Sequence, residues 1–364
     1  MAGKTEGESL VLLAWPDLLP SNHARSVRGV ALSSAIASLG HDCLIVTPSA
    51  NKRNRVPLSS RVNVQELVLY DQYAIRLPPP IPAMLMPLTV GRLASLAKKS
   101  RAKLVIGSTP GVFLCLEAYF VARLRGLPFI LDVRDSWSLE EVTHHGRLRN
   151  SIKHKIEGVL SRGSSEIWTV TESLSALLKK SHRLVGQKII VVPNGADRAR
   201  FGPGGESREY DFVFLGAPSP YRDVPRLLRG IEILATKLPR VRGLWLGWRD
   251  ASLEKEDSAR LHRLVSNGTL VLNSPVPHSE VPALLKKARI GLVSISSRQL
   301  PPVIISSACF VSLVADVGLI RNAWCFQVVP FHDCDVISIS TNSAPPILPS
   351  RRFFQVNVSS AFLT

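Results

Sequence analysis

The chain has 364 residues, with 45 Lys and Arg against 28 Asp and Glu, for a formal net charge of +17. Hydrophobic residues make up 45% and charged residues 20%, which excludes a disordered chain and leaves room for two ordinary domain cores. Five cysteines without paired or metal-like spacing exclude a disulfide scaffold and a zinc site, and point to a reducing compartment.

Short apolar strands alternate with helical patterns almost from the start. The opening MAGKTEGESLVLLAWP carries acidic residues and only a brief apolar run, so it leads into a first strand and does not read as a signal peptide. The helix RSVRGVALSSAIASLG follows, stopped by Gly40, and then the strands CLIVTP and NVQELVLY. A Pro-rich loop, RLPPPIPAMLMP, precedes the helix LTVGRLASLAKKS. Next come the strand KLVIGS, the helix GVFLCLEAYFVARLRG and the strand that opens GLPFILDVRDSW. A basic amphipathic helix over 147–162, the strand EIWTV, a helix capped by Thr171 and the strand of KIIVVPNGAD close the series. RFGPGGESREY reads as a linker, after which the alternation restarts with YDFVFLG and runs through GLVSIS. Such alternation predicts parallel strands joined by right-handed helical crossovers, in two Rossmann-like halves with a ligand cleft between them.

The basic excess sits in the first half: +12 over residues 1–203, +4 over 204–297 and +1 over 298–364. Such a field attracts nucleic acid, an anionic membrane surface or a phosphorylated substrate. No basic groove interleaved with aromatics and no nucleic-acid motif is present, so nucleic acid is set aside as a partner.

Asp132, Arg134 and Asp135 stand together where a buried strand ends. In an open α/β sheet that is where ligands bind, although a salt-bridged corner is the bland alternative. The ordered set ILDVRDSW, WTVTESLSALL, IIVVPNGAD with Phe201, FVFLG and VPHSEVPALLKKARIGLVSIS resembles the family 4 glycosyltransferases, in the branch with a D-x-R-D-x-W strand end. The resemblance covers roughly residues 9–297. It implies an α/β chain of GT-B fold, two Rossmann-like domains facing each other across a cleft. Residues 1–202 would form the acceptor-side domain and 203–297 an incomplete nucleotide-sugar-side domain.

The implied activity is transfer of a hexose-type unit from a nucleoside diphosphate sugar, UDP-linked, to a glycan or lipid-linked acceptor, with retention of configuration, as in polysaccharide biosynthesis. No cofactor and no metal are implied. Asp132, Arg134, Asp135 and Trp137 fall on the acceptor side, with Asn22 and His23 in the loop after the first strand, where the family's paired glycines are missing. Enzymes of this fold often lack an obvious protein base, so the two aspartates are assigned to acceptor binding or orientation and no catalytic residue is named. Gly216, Arg222, Gly247, Asn194 and Gly195 fall on the donor side. Asn194 and Gly195 also suit an ordinary turn. Arg222 also suits a plain surface arginine, because Asp223 follows where the family commonly has a lysine. Trp248 reads as packing, and Ser279 as the N-cap of a structural helix.

After Ser297 the pattern fails. Relatives continue into a Glu-x7-Glu segment that binds the donor sugar and ribose, whereas residues 281–364 contain no glutamate. Losing contacts of that kind costs about 1–3 kcal/mol each. The tail at 298–364 is either a divergent ending or out-of-frame translation, and the joint change in composition, charge and periodicity favours the second. The competing functional class is therefore a catalytically inactive GT-B scaffold that binds a membrane or protein partner. The basic helix at 147–162, with Arg147, Arg149, Lys153 and Lys155, suits peripheral association with an anionic membrane from the cytoplasmic side. The most apolar stretch, VIISSACFVSLVADVGLI, contains Asp316 and is not read as membrane-spanning.

Overall fold

The computed structural model of the chain describes residues 10–15, 24–47, 58–67, 80–109, 111–136, 147–194, 208–219, 222–249, 253–277, 279–294, 326–331 and 334–339. They fall into two compact units that part after residue 195.

In the first unit, seven strands form one sheet: β1 (Leu10–Ala14), β2 (Asp42–Thr47), β3 (Val62–Glu66), β4 (Ala102–Ser108), β5 (Phe129–Val133), β6 (Glu166–Thr169) and β7 (Ile189–Val191). Their order is β3-β2-β1-β4-β5-β6-β7 and every pairing is parallel. Parallel strands need helical crossovers, supplied by α1 (Ala24–Ser38), α2 (Pro80–Lys99), α3 (Val112–Arg125), α4 (Arg147–Gly163) and α5 (Glu172–His182). The apolar runs at 10–14 in β1, 104–106 in β4 and 129–131 in β5 suit a sheet covered on both faces. Leu12, Leu13, Ile45, Ile106 and Leu131 are fully buried there, each contributing about 1.5–3 kcal/mol. This strand order places a topological switch point between β1 and β4.

The helix ends follow local chemistry. Thr171 caps α5, its Oγ1 accepting from the Leu174 N–H at 3.1 Å. Gly126 ends α3 in the left-handed conformation, φ 62°, and its N–H reaches the carbonyls of Ala122 and Arg123. One boundary differs from the sequence reading. Within the proline-rich stretch expected as a loop, residues 80–87 belong to α2, which begins at Pro80 and carries Pro87 inside it. Proline fits the first helical turn, where its missing N–H has no partner to lose, and Pro87 is solvent-exposed.

The second unit repeats the scheme with β8 (Tyr210–Leu215), α6 (Val224–Lys237), β9 (Gly243–Leu246), α7 (Lys255–Ser266), β10 (Leu270–Asn273), α8 (Val281–Lys286) and β11 (Ala288–Ser294). The sheet order is β10-β9-β8-β11-β13-β12, so β8 and β11 flank its switch point. The last two strands, β12 (Phe326–Phe331) and β13 (Cys334–Ile339), lie in the segment where sequence periodicity gave no element. They form an antiparallel hairpin, and β13 runs parallel to β11 with Gly291 opposite Val336. Their β-branched composition suits strands, and Pro330 sits on the edge strand, where a missing N–H is tolerated.

An ion network ties α6 to α7. Glu232 accepts from Arg263 Nη2 at 2.7 Å and from Arg260 Nε at 2.8 Å. These hydrogen bonds, Arg263 first, hold the Glu232 carboxyl below its ordinary range. A carboxyl whose folded-state pKa is depressed stabilises above its unfolded value and loses that contribution as pH falls through the folded one, so this clamp fails only in acid.

Candidate functional site

Two strand-end clusters carry the sequence candidates, one in each unit. In the first unit, Asp132, next to last in β5, is fully buried. Arg28 of α1 donates to it twice, Nη2 to Oδ1 at 2.7 Å and Nε to Oδ2 at 3.3 Å. Ser108, at the end of β4, donates through Oγ to Oδ2 at 2.8 Å. The remaining Arg28 nitrogen, Nη1, reaches the Pro193 carbonyl and Asn194 Oδ1, both at 3.2 Å, just beyond β7. One arginine thus joins α1, the end of β5 and the turn after β7. Buried charges are retained when paired and hydrogen-bonded, and this pair is both.

Glycine lets α1 come that close. A Cβ at Gly29 would lie 2.6 Å from Trp15 Nε1, so only the bare backbone fits beside the indole at the end of β1. Arg134 lies over the same indole, 4.9 Å from the ring centroid, and is nearly buried. Its Nε donates to the Thr109 carbonyl at 2.6 Å, and its backbone N–H reaches Thr109 Oγ1 at 3.0 Å. Thr109 Oγ1 donates to the Asp135 carbonyl at 3.1 Å. Asp135 is half-buried, more open than Asp132. Ser136 donates to Glu157 Oε2 of α4 at 2.9 Å, and His182 Nε2 lies 3.0 Å from the same oxygen. Cys115 lies in the same interior: burial first, then the charges of Asp132 and Glu157, push its thiol far up.

With no exposed surface and both oxygens occupied, the Asp132 carboxylate orients its neighbours. Trp137, Asn22, His23 and Gly195 lie outside the described residues. Arg28, Ser108, Thr109 and Glu157 were not found from the sequence. Ser108 and Thr109 carried the same signal as Asp132, polar residues ending a buried strand. Arg28 gave none, because its partner stands 104 positions away.

In the second unit, Gly216 follows β8 with φ 122° and Gly247 follows β9 with φ 95°. A Cβ on Gly247 would lie 3.4 Å from the Gly216 Cα, so the two strand ends meet backbone to backbone. The Gly216 carbonyl accepts from Trp245 Nε1 at 2.9 Å. Arg222 folds over this turn. Its Nη1 donates to the Leu215 carbonyl at 2.6 Å, its guanidinium lies 5.1 Å from the Phe214 centroid, and a Cβ on Gly216 would collide with it. Asp223, unusual at this place in the resemblance, caps α6 by accepting from the Arg226 N–H at 3.3 Å. Trp248 packs edge-on against Trp245 at 4.9 Å, as the packing reading expects. The cap of α8 is Glu280, so Ser279 stands one residue ahead of the position expected for it. Its neighbour His278 lies outside the described residues. Among the described residues, no His, Cys, Asp or Glu group is arranged to hold a metal ion.

Comparisons with known proteins place these features. The family described as Glycosyl transferase 4-like domain matches residues 26–195, which takes in Arg28, Asp132, Arg134, Asp135 and Asn194. No curated protein matches the chain. Among solved structures, a sucrose-phosphate synthase from Thermosynechococcus elongatus is similar with TM-score 0.62 and 12% identity, covering 85% of this chain and 81% of that one. A glycosyltransferase from Rickettsia africae gives 0.54 and 14%, covering 80% and 74%. Anabaena HepE in complex with UDP and glucose gives 0.51 and 14%, covering 79% and 74%. The chain has the GT-B fold of these solved structures, and its residues 26–195 match the glycosyl transferase 4-like domain.

Proposed function

We propose that the chain takes a sugar from a UDP-linked donor and delivers it, with retention of configuration, to a glycan or lipid-linked acceptor. The observation that carries the donor half is the Gly216–Gly247–Arg222 turn. At the ends of β8 and β9, beside the switch point of the second sheet, two side-chain-free strand ends lie beside a guanidinium, the charge and access that a diphosphate needs. Asp223 already occupies the α6 N-terminus, so the positive charge at this turn comes from Arg222. Asn194 is held in the first unit by Arg28, and its donor role belongs to this proposal. The similarity to a UDP-and-glucose complex supports the same donor class.

Residues 281–364 hold no glutamate, which favours a second reading, a scaffold that holds its partner without transferring sugar. Calorimetric titration of the full-length chain with UDP separates the readings. Donor binding predicts a one-site isotherm that Arg222→Ala weakens by about tenfold or more, from a charge-assisted contact of about 1.5–3 kcal/mol. Heat with no turnover of any UDP-sugar favours the scaffold, and no heat from any nucleoside diphosphate sinks the donor reading.

The membrane partner rests on α4. Ile152 and Val159 are 50% and 46% exposed, and Lys155 is exposed between them at helical spacing. The side chains of Arg147 and Arg149 lie outside the described residues. Vesicles containing phosphatidylglycerol should co-sediment the chain, and Ile152→Ser with Lys155→Glu should release it; equal binding to neutral vesicles would rule out the charge term. No helix among the described residues is long and apolar enough to cross a membrane.

A further inference from the structure

Arg28 is placed as few side chains are: nine-tenths buried on α1, yet bonded to the ends of two strands that belong to different crossovers. Two of its nitrogens grip the Asp132 carboxylate, and the third holds both the Pro193 carbonyl and the Asn194 side chain. Asp132 is followed at once by the Arg134–Asp135 corner, and Asn194 stands one residue before the first unit ends. The planar fork of a guanidinium can serve both at once, and no ammonium group can.

We propose that Arg28 is a positioning residue, which sets the acceptor-side corner at Asp132–Asp135 and the Pro193–Asn194 turn in a single mutual geometry. The carboxylate does not act on substrate; it is the fixed point against which Arg28 holds the turn. Ser108 supplies the second anchor of that carboxylate, so Asp132 keeps a partner when Arg28 is altered. Gly29 is the reason the arginine can reach, because any side chain there would push α1 off Trp15. For activity the inference rests on the transfer reading above, since a misplacement of about 1 Å can cost about 10²-fold in rate.

The test uses the full-length chain and two variants. Arg28→Lys keeps a charge that can pair with Asp132 but cannot span to the turn. Arg28→Ala removes both grips and leaves a space that methylguanidinium can fill. Hydrogen exchange followed by mass spectrometry reads peptides over 128–136 and 189–194. Arg28→Lys should raise exchange at 189–194 about tenfold while 128–136 stays within twofold of the parent. Arg28→Ala should raise both, and methylguanidinium, but not an equal concentration of ammonium, should restore both together. Turnover of a UDP-sugar should fall about 10²-fold in kcat for Arg28→Ala, donor KM should rise as Asn194 is released, and both should recover with methylguanidinium.

Exchange at the two segments that rises and recovers independently overturns the proposal. So does Arg28→Lys matching the parent at 189–194. If the parent chain turns over no UDP-sugar, the transfer reading fails, while the exchange results still decide the role of Arg28. If Arg28→Ala does not fold, the Arg28→Lys pattern alone decides it.

Discussion

Replacing Asp132 by alanine lowers the stability of the first unit by about 3–5 kcal/mol, because it strands the Arg28 guanidinium in the interior with its main counter-charge gone. The same change removes the 2.8 Å bond from Ser108 Oγ and leaves it only the longer one to the Thr109 carbonyl, at 3.3 Å. Asp132→Asn keeps the shape and one acceptor oxygen, so it costs less, about 1–3 kcal/mol. The informative partner is the double variant Asp132→Ala with Arg28→Met. Removing both charges at once leaves no buried ion uncompensated, so this variant unfolds at higher urea than Asp132→Ala alone. Urea denaturation followed by circular dichroism reads all three. A loss below about 1 kcal/mol for Asp132→Ala would mean that the pair is not what anchors the β5 end.

In the second unit the largest effect belongs to Trp245. It is fully buried, meets Phe214 edge-on at 4.7 Å and Trp248 at 4.9 Å, and holds the Gly216 carbonyl through its indole N–H. Trp245→Ala costs about 3–5 kcal/mol from the cavity and the lost transfer of the ring. Trp245→Phe keeps most of the packing but removes the donor to Gly216, for about 1–2 kcal/mol. The two substitutions separate stability from site geometry. The phenylalanine variant stays folded at room temperature and should still bind UDP several-fold more weakly, since the turn that carries Arg222 loses its tether. Unaltered UDP affinity in that folded variant would detach the turn from nucleotide binding, and an unaltered unfolding midpoint in Trp245→Ala would contradict its place in the core.

Much of the first unit is legible without coordinates. LVLLA, the CLIV of DCLIVT and the FIL of FILDV are apolar runs that suit strands covered on both faces, and their alternation with helical spacing dictates parallel pairing. Gly40 and Thr171 announce helix ends because capping is a contact between near neighbours in sequence. The acidic–basic cluster at 132–135 shows where polar chemistry begins on the strand end. Gly216 and Gly247 mark turns that need positive φ.

What the side chains there do was decided only by folding. Asp132 looks like a group aimed at a ligand until Arg28 and Ser108 arrive from α1 and β4 and occupy both its oxygens. Nothing local encodes that meeting, since burial and the need to neutralise a buried charge act through space. The place of the 326–339 hairpin in the sheet was not legible for a related reason: β12 and β13 pair locally, but β13 joins the sheet through β11, a strand more than 40 residues earlier. Local order follows from steric and capping preferences that each residue carries with it. Which carboxylate is spent on structure, and which stays half-open as Asp135 does, depends on the electrostatic partners that the sheet order brings to one edge.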